Sequence, residues 1–316
     1  MANTEIVSGV SSYLLYGAET TFGSAATVDQ NFGLVTSFSP SLNNNVIKSR
    51  GFVGSSSGGR DIAQLTGGKF EAGFSVELTP LYWDWLQYII GSRTGSGTVG
   101  SPYVYSGSNT LTSLTVSNCL DNDTTDREES YLGSMINSIT IKAAVGEPVT
   151  ATMEFLSADL DKDSTLPSNV AIVDELPYTF TGGSIEIPNA SAIPNIIDSV
   201  EITITNNTSI IYGLGSRVGQ SKIEGARDYS IKFTVNYLDE TLIDLFLGSA
   251  SGPTQPTENV TLAVRFDNSD STRYIDFVFT DAIIEQMSET NSLNEIVKED
   301  HTAVAKSLVA TEVQTA

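Results

Sequence analysis

Alternation of apolar and polar residues with a period of two dominates the chain and predicts β-strands. Residues 70–78 read Phe-Glu-Ala-Gly-Phe-Ser-Val-Glu-Leu. That places Phe70, Ala72, Phe74, Val76 and Leu78 on one face and Glu71, Gly73, Ser75 and Glu77 on the other. Residues 200–204 and 229–235 alternate in the same way. Residues 136–155 predict a hairpin. Ile139-Thr140-Ile141 leads to a turn near Val145-Gly146-Glu147-Pro148, and Val149, Ala151, Met153 and Phe155 return on one face. Two short stretches change period. Thr79-Pro80 predicts the start of a helix over 81–90 that ends at Gly91, and Asp239 caps a second over 240–247 that ends at Gly248. Each is predicted about three turns long, too short to stand alone in water, so each must pack on a sheet.

The strand-then-helix unit occurs twice. With an offset of 157 residues, Phe74, Val76 and Leu78 fall on Ile231, Phe233 and Val235, and Gly91 falls on Gly248. Upstream the offset is 162, where Ser37, Asn44 and Asn45 fall on Ser199, Asn206 and Asn207. The difference is taken up in a glycine-rich stretch, where a loop tolerates a change of length. The expected architecture is mainly β: two tandem β-sandwich or β-barrel domains, residues 1–165 and 166–316, each with a short flanking α-helix. The acidic segment near 157–177 joins them.

Composition narrows the chemistry. The 316 residues carry 16 basic and 38 acidic side chains, a formal net charge of −22. Such a field repels phosphate over about 8–10 Å, which excludes a nucleic-acid-gripping surface. No apolar run is long enough to span a membrane, so no membrane insertion is expected, and the first residues lack the pattern of a signal peptide. One cysteine, Cys119, excludes an intramolecular disulfide, and one histidine, His301, excludes paired-histidine metal motifs.

Four motifs invite chemistry, and none has the context that the chemistry needs. Gly54-Ser55-Ser56-Ser57-Gly58 matches the letters of a nucleophile elbow but has neither the strand before it nor the helix after it. It reads as a flexible loop. Asp159, Asp161 and Asp163, and the cluster Asp121, Asp123 and Asp126, carry oxygen ligands of the kind calcium takes, without the spacing of an EF-hand. They read as solvated loop charge. The glycines of 213–219 miss dinucleotide-loop spacing. No catalytic residue, metal site or cofactor is expected, and the protein is expected not to be an enzyme. Binding or assembly remains.

The run Gly17-Ala18-Glu19-Thr20-Thr21-Phe22-Gly23-Ser24-Ala25 resembles the opening of tail tube proteins of tailed viruses. The strand ending in Asn43-Asn44-Asn45, the glycine-rich loop, strand 70–78 and the Trp-rich helix follow in the order of that family. The second half, from Gly183 through Asn206-Asn207 to Gly248, resembles the same unit again, so that the whole chain resembles a two-domain form of the family. The resemblance implies sandwich-like domains whose sheets pair side by side around a ring, in stacked rings that form a hollow tube. It implies a structural virion protein of the tail, assembled in the host cytoplasm, whose lumen conducts the viral genome. A chain with two fused domains then makes trimeric pseudo-hexameric rings, with hexameric rings as the other possibility. The implied partners are other copies of the chain, the tape measure protein, the tail terminator, baseplate or distal tail proteins, and DNA that passes without specific binding.

On this reading an acidic wall keeps a sliding polyanion off the tube. Glu71, Glu77, Glu154, Glu201 and Asp228 lie on polar strand faces and are the lumen-facing candidates, with Glu71 and Asp228 at matching positions of the two units. Gly54, Gly58, Gly59 and Gly67, with Gly215 and Gly219, mark the intersubunit loop candidates in 51–68 and 213–225. An acidic, calcium-loaded adhesin-like β-sandwich array is the alternative.

Overall fold

The computed structural model of the chain describes residues 12–49, 64–121, 126–172, 175–187, 197–255, 260–268, 272–293 and 296–314. The fold is mainly β. Its centre is one long antiparallel sheet of eight strands. The order is Leu34–Asn43, Glu71–Thr79, Thr150–Ser157, residues 135–144 of Arg127–Ala144, Ile197–Thr205, Asp228–Asn236, Lys298–Ala305 and residues 283–290 of Tyr274–Thr290. Two smaller sheets cover its apolar face. The first runs Gln30–Asn31, Ser12–Ala18, Leu114–Leu120, residues 127–134 and Asp159–Asp163. The second runs Ser184–Glu186, Val260–Asp267, residues 274–280, Ser307–Val313, Tyr103–Gly107 and Gly91–Thr94. Arg127–Ala144 and Tyr274–Thr290 are long because each begins in a cover sheet and ends in the long sheet.

The pairing repeats in detail. The bulge between Val35 and Ser37 recurs between Ile197 and Ser199, at the offset of 162. The bulge between Ile136 and Ser138 recurs between Ile284 and Gln286, offset by 148. The irregularity between Tyr131 and Ser134 recurs between Phe279 and Ala282. Backbone torsions follow. Gly133 has φ +61° and its counterpart Asp281 has φ +54°, while Asn45 at +43° matches Asn207 at +49°. Three of these four are the short polar residues that tolerate the left-handed region apart from glycine. At Gly133 a Cβ would also sit 2.8 Å from the Ala158 side chain and 3.1 Å from Phe22.

The sequence-predicted strands lie within a residue or a few of their expected ends. The first helix does not match its expectation. Residues 84–86 form one 3₁₀ turn and Gln87–Ile90 one α turn, so Thr79 and Pro80 cap nothing. Trp83, Trp85, Leu86, Ile89 and Ile90 are all buried, so packing covers most of the turn rather than one stripe, with Asp84 and Gln87 left half-buried. Trp83 packs against Trp85, Tyr178 and Phe277, which ties the turn to the second cover sheet. The second helix is Thr241–Leu247, within one residue of its expected bounds and about two turns long. Asp239 accepts the Thr241 N–H at 2.9 Å, and Gly248 ends it at φ +76°.

A clasp joins the first half of the chain to its C-terminal strand. Hairpin residues 91–107 pair with the C-terminal strand Ser307–Val313. Buried Glu312 accepts the Tyr105 hydroxyl at 2.5 Å, the Trp83 N–H at 3.1 Å and the Gln314 amide at 3.0 Å. Desolvation pushes its carboxyl up to about 7, against the partial opposition of those donors. A raised acid pKa means that the folded state holds the proton more tightly. The clasp is therefore strongest below the unfolded value near 4.5 and weakens as pH rises through about 7. The whole swing amounts to about 3 kcal/mol. Urea titrations between pH 4.5 and 8 are expected to show falling stability for the native chain and a flatter profile for Glu312→Gln.

Candidate functional site

The solvent face of the long sheet collects the sequence-predicted carboxylates. Glu71 and Glu77 stand on Glu71–Thr79, Glu154 on Thr150–Ser157, Glu201 on Ile197–Thr205 and Asp228 on Asp228–Asn236. All five point away from the core, because Phe74, Val76, Met153, Ile202 and Ile231 take the alternate positions. Between them lies a carpet of small polar groups: Ser37, Ser39 and Ser41 on the first strand, Thr152 opposite Glu77, Ser75 opposite Glu154, and Thr203 opposite Ser230.

The carboxylates are not equivalent. Glu201 lies 2.9 Å from Lys142 and 3.8 Å from Lys232 on the flanking strands. Glu71 pairs with Lys69, and the bonds from Lys69 and Asn45 hold its carboxyl below the usual range. Glu71 and Asp228 share a second structural job. Asn45 Nδ2 donates to the Glu71 carboxylate at 2.7 Å and to the Lys69 carbonyl at 3.2 Å. Asn207 Nδ2 donates to Asp228 and to the Ala226 carbonyl, each at 2.8 Å. The two acids thus pin the same left-handed corner in the two halves. Glu77 and Glu154 are exposed.

Short strand pairs flank the two glycine-rich stretches beside this face. Ile47–Ser49 pairs with Gln64–Thr66, and Ser209–Tyr212 with Gly219–Ile223. Gly54, Gly58 and Gly59 lie outside the described residues. Gly67 lies against the Arg217 guanidinium, whose Nε donates to the Gly68 carbonyl at 2.9 Å. Gly219 donates its N–H to Ala158 at 2.9 Å. Gly215 has φ +87° and nothing near its missing Cβ. The 215–219 tip therefore docks on the first half of the chain.

The long sheet ends in two strands that each pair on one side only among the described residues. Leu34–Asn43 pairs with Glu71–Thr79, and residues 283–290 pair with Lys298–Ala305. Leu42 is 48% exposed on the first of these edges. An unpaired strand presents a row of N–H and C=O groups to another chain.

The remaining candidate groups are placed as follows. His301 is buried, stacked on Phe233 and bonded through Nε2 to buried Glu299 at 3.1 Å. It is therefore closed to solvent, and Ser56 lies outside the described residues. Asp159, Asp161 and Asp163 sit along a cover-sheet edge, and Asp163 accepts the N–H groups of Ser164 and Thr165. Among the described residues no group of three or more His, Cys, Asp or Glu side chains is placed to hold a metal ion. Cys119 is buried, and desolvation pushes its thiol up to about 12. Among the described residues no helix is long and apolar enough to cross a membrane.

The run of residues 17–25 is organised around Glu19. Its carboxylate is buried and accepts Ser113 Oγ at 2.7 Å, Thr115 Oγ1 at 3.0 Å, Gly133 N–H at 2.8 Å and Gly23 N–H at 2.9 Å. Gly17 is obligatory for another reason: a Cβ there would lie 2.0 Å from the Thr27 carbonyl oxygen. No curated protein matches the sequence. The profile of one family, described as phage tail tube protein, matches residues 9–304. With that match over nearly the whole chain, and with a β-sandwich fold that carries an open-edged sheet, the chain belongs to the phage tail tube protein family.

Proposed function

We propose that this structural tail protein closes into trimeric pseudo-hexameric rings that stack into the tail tube, and that the solvent face of its long sheet lines the lumen. Residues 1–165 and 166–316 act on this reading as two fused tube domains. The carrying observation is the long sheet itself. Its four strands from the first half and four from the second run in the same order, and among the described residues each end strand is paired on one side only. Head-to-tail joining of such ends closes a ring when the rotation permits.

The lumen function follows from the face. Serine and threonine hold water, and Glu71, Glu77, Glu154, Glu201 and Asp228 keep phosphates at a distance. The genome slides because fixed cations are few and mostly paired with acids. The same lumen houses the tape measure protein before ejection. The tail terminator and the baseplate or distal tail proteins close the two ends, and assembly takes place in the host cytoplasm.

Purified chain, concentrated and viewed by negative-stain microscopy, is expected to form uniform hollow tubes. Monodisperse monomer at every concentration tested contradicts the proposal. The double variant Glu77→Lys, Glu154→Lys tests the lumen separately. Tubes of unchanged diameter are expected, with phage titre reduced at least about tenfold because cations now hold the polyanion. Unchanged titre removes the acidic lumen from the account.

A further inference from the structure

The chain already contains one junction between its halves, and its chemistry is visible. Residues 138–144 pair antiparallel with Ser199–Thr205, with Ile139 opposite Ile204 and Ile141 opposite Ile202, all fully buried. Asn206 locks the end of this seam. Its N–H donates to the Asn137 carbonyl at 2.7 Å and its Nδ2 to the Ile136 carbonyl at 3.1 Å. Its Oδ1 is held by Arg227 Nε at 2.8 Å, which fixes the amide so that Nδ2 faces the seam.

The counterpart of Asn206 is Asn44, at the free edge. Its Oδ1 is likewise held by an arginine, Arg217, at 2.9 Å. Its Nδ2 has no partner among the described residues. The counterpart of Ile136 is Ile284, at the other free edge, with the same bulge beside it. One half of the lock is therefore set at each end of the sheet.

We propose that a second copy of this chain completes the lock, with residues 286–292 of one copy pairing antiparallel with 37–43 of the next in the register of the internal seam. This deepens the ring reading above and rests on it. The offsets place Gln286 opposite Asn43, Met287 opposite Leu42 and Ser288 opposite Ser41. Met287 then meets the half-exposed Leu42, as Ile139 meets Ile204 within the chain. Asn44 Nδ2 donates to the Ile284 carbonyl of the next copy. Glu285 takes the bulge position of Asn137, whose side-chain oxygen accepts the Thr208 N–H at 2.9 Å, and so offers an acceptor to the Val46 N–H. Pro40 has no N–H, so the joint forgoes at most one ladder bond.

The register is tested with tubes made from full-length chain. Ser288→Cys is combined in turn with Ser41→Cys, Ser39→Cys and Ser37→Cys, and each tube sample is treated with a short bifunctional thiol reagent. These serines share one face of the sheet, and facing positions lie about 5 Å apart across a strand pair. A four-residue slip moves the partner by about 13 Å. Intermolecular cross-linking is expected to be strongest with Ser41→Cys and near the single-cysteine background with Ser37→Cys. Tubes that cross-link through Ser37→Cys, or through none of the three, overturn the register and leave the ring reading intact. Failure of the unmodified chain to form tubes overturns both. Asn44→Ala supplies a second readout. It is expected to raise the concentration needed for tubes about fivefold, as loss of one hydrogen bond per joint does, with only a small drop in monomer melting from the lost, exposed Arg217 bond. A lower melting temperature with unchanged assembly assigns Asn44 to the monomer fold alone and overturns its part in the joint.

Discussion

Glu19→Ala is expected to lower the unfolding free energy by about 3–5 kcal/mol. The carboxylate is buried and receives two hydroxyls and two backbone N–H groups from three separate segments. Alanine leaves those four donors without a partner inside the first cover sheet. Buried donors so stranded each cost about 1–3 kcal/mol, and rearrangement recovers only part. The Gly133 N–H has least room to move, since Gly133 holds a positive φ between Ala158 and Phe22. Glu19→Gln keeps the shape and one acceptor oxygen, so its cost is smaller, about 1–2 kcal/mol. Urea denaturation followed by tryptophan fluorescence measures both, because Trp83 and Trp85 are buried. A loss below about 1 kcal/mol for the alanine variant contradicts the role of this carboxylate as a hub.

The second large effect is on assembly. Leu42→Lys is expected to abolish tubes while leaving the monomer folded. Leu42 is 48% exposed on the edge strand Leu34–Asn43, so a lysine there reaches water in the free chain and costs little. In the proposed ring the same position is covered by Met287 of the next copy, and a charge on the inward side of a sheet edge is what natural proteins use to prevent pairing. The matched internal substitution gives the contrast. Ile204→Lys puts a cation at a fully buried position of the seam and is expected to unfold the chain. Melting curves and negative-stain images of the two variants separate the outcomes. Normal tubes from Leu42→Lys contradict the edge assignment.

Much of this was legible in the sequence because period-two alternation is a local signal. The strands of the long sheet show it plainly, and the offsets of 157 and 162 reappear in the pairing registers and in the matched bulges. What escaped were features set by tertiary packing. The Trp-rich stretch looked like a three-turn helix, but it forms one 3₁₀ and one α turn with most of its side chains buried. The pairing of residues 103–107 with Ser307–Val313 joins segments far apart in sequence, and no local pattern signals it. The buried acids were partly readable. In Ser307–Val313, alternation puts Glu312 on the same face as Leu308 and Ala310, which is the buried face. The same reasoning puts Glu299 and His301 inside Lys298–Ala305, where the first half carries Ala151 and Met153.

Both acids of the matched pair Glu71 and Asp228 were picked out for their position in the repeat. Their side chains also secure the Asn45 and Asn207 corners, so substituting them alters loop geometry as well as charge. Glu77 and Glu154 are the cleaner probes of the proposed lumen face for that reason.

The most direct measurement is an electron cryomicroscopy reconstruction of tubes grown from the purified chain. The account predicts three chains per ring, an unbroken antiparallel ladder from residues 286–292 of one copy to 37–43 of its neighbour, and Glu77 and Glu154 lining the channel. Rings in which those two edges face solvent, or in which that carboxylate face lies on the outside of the tube, contradict it.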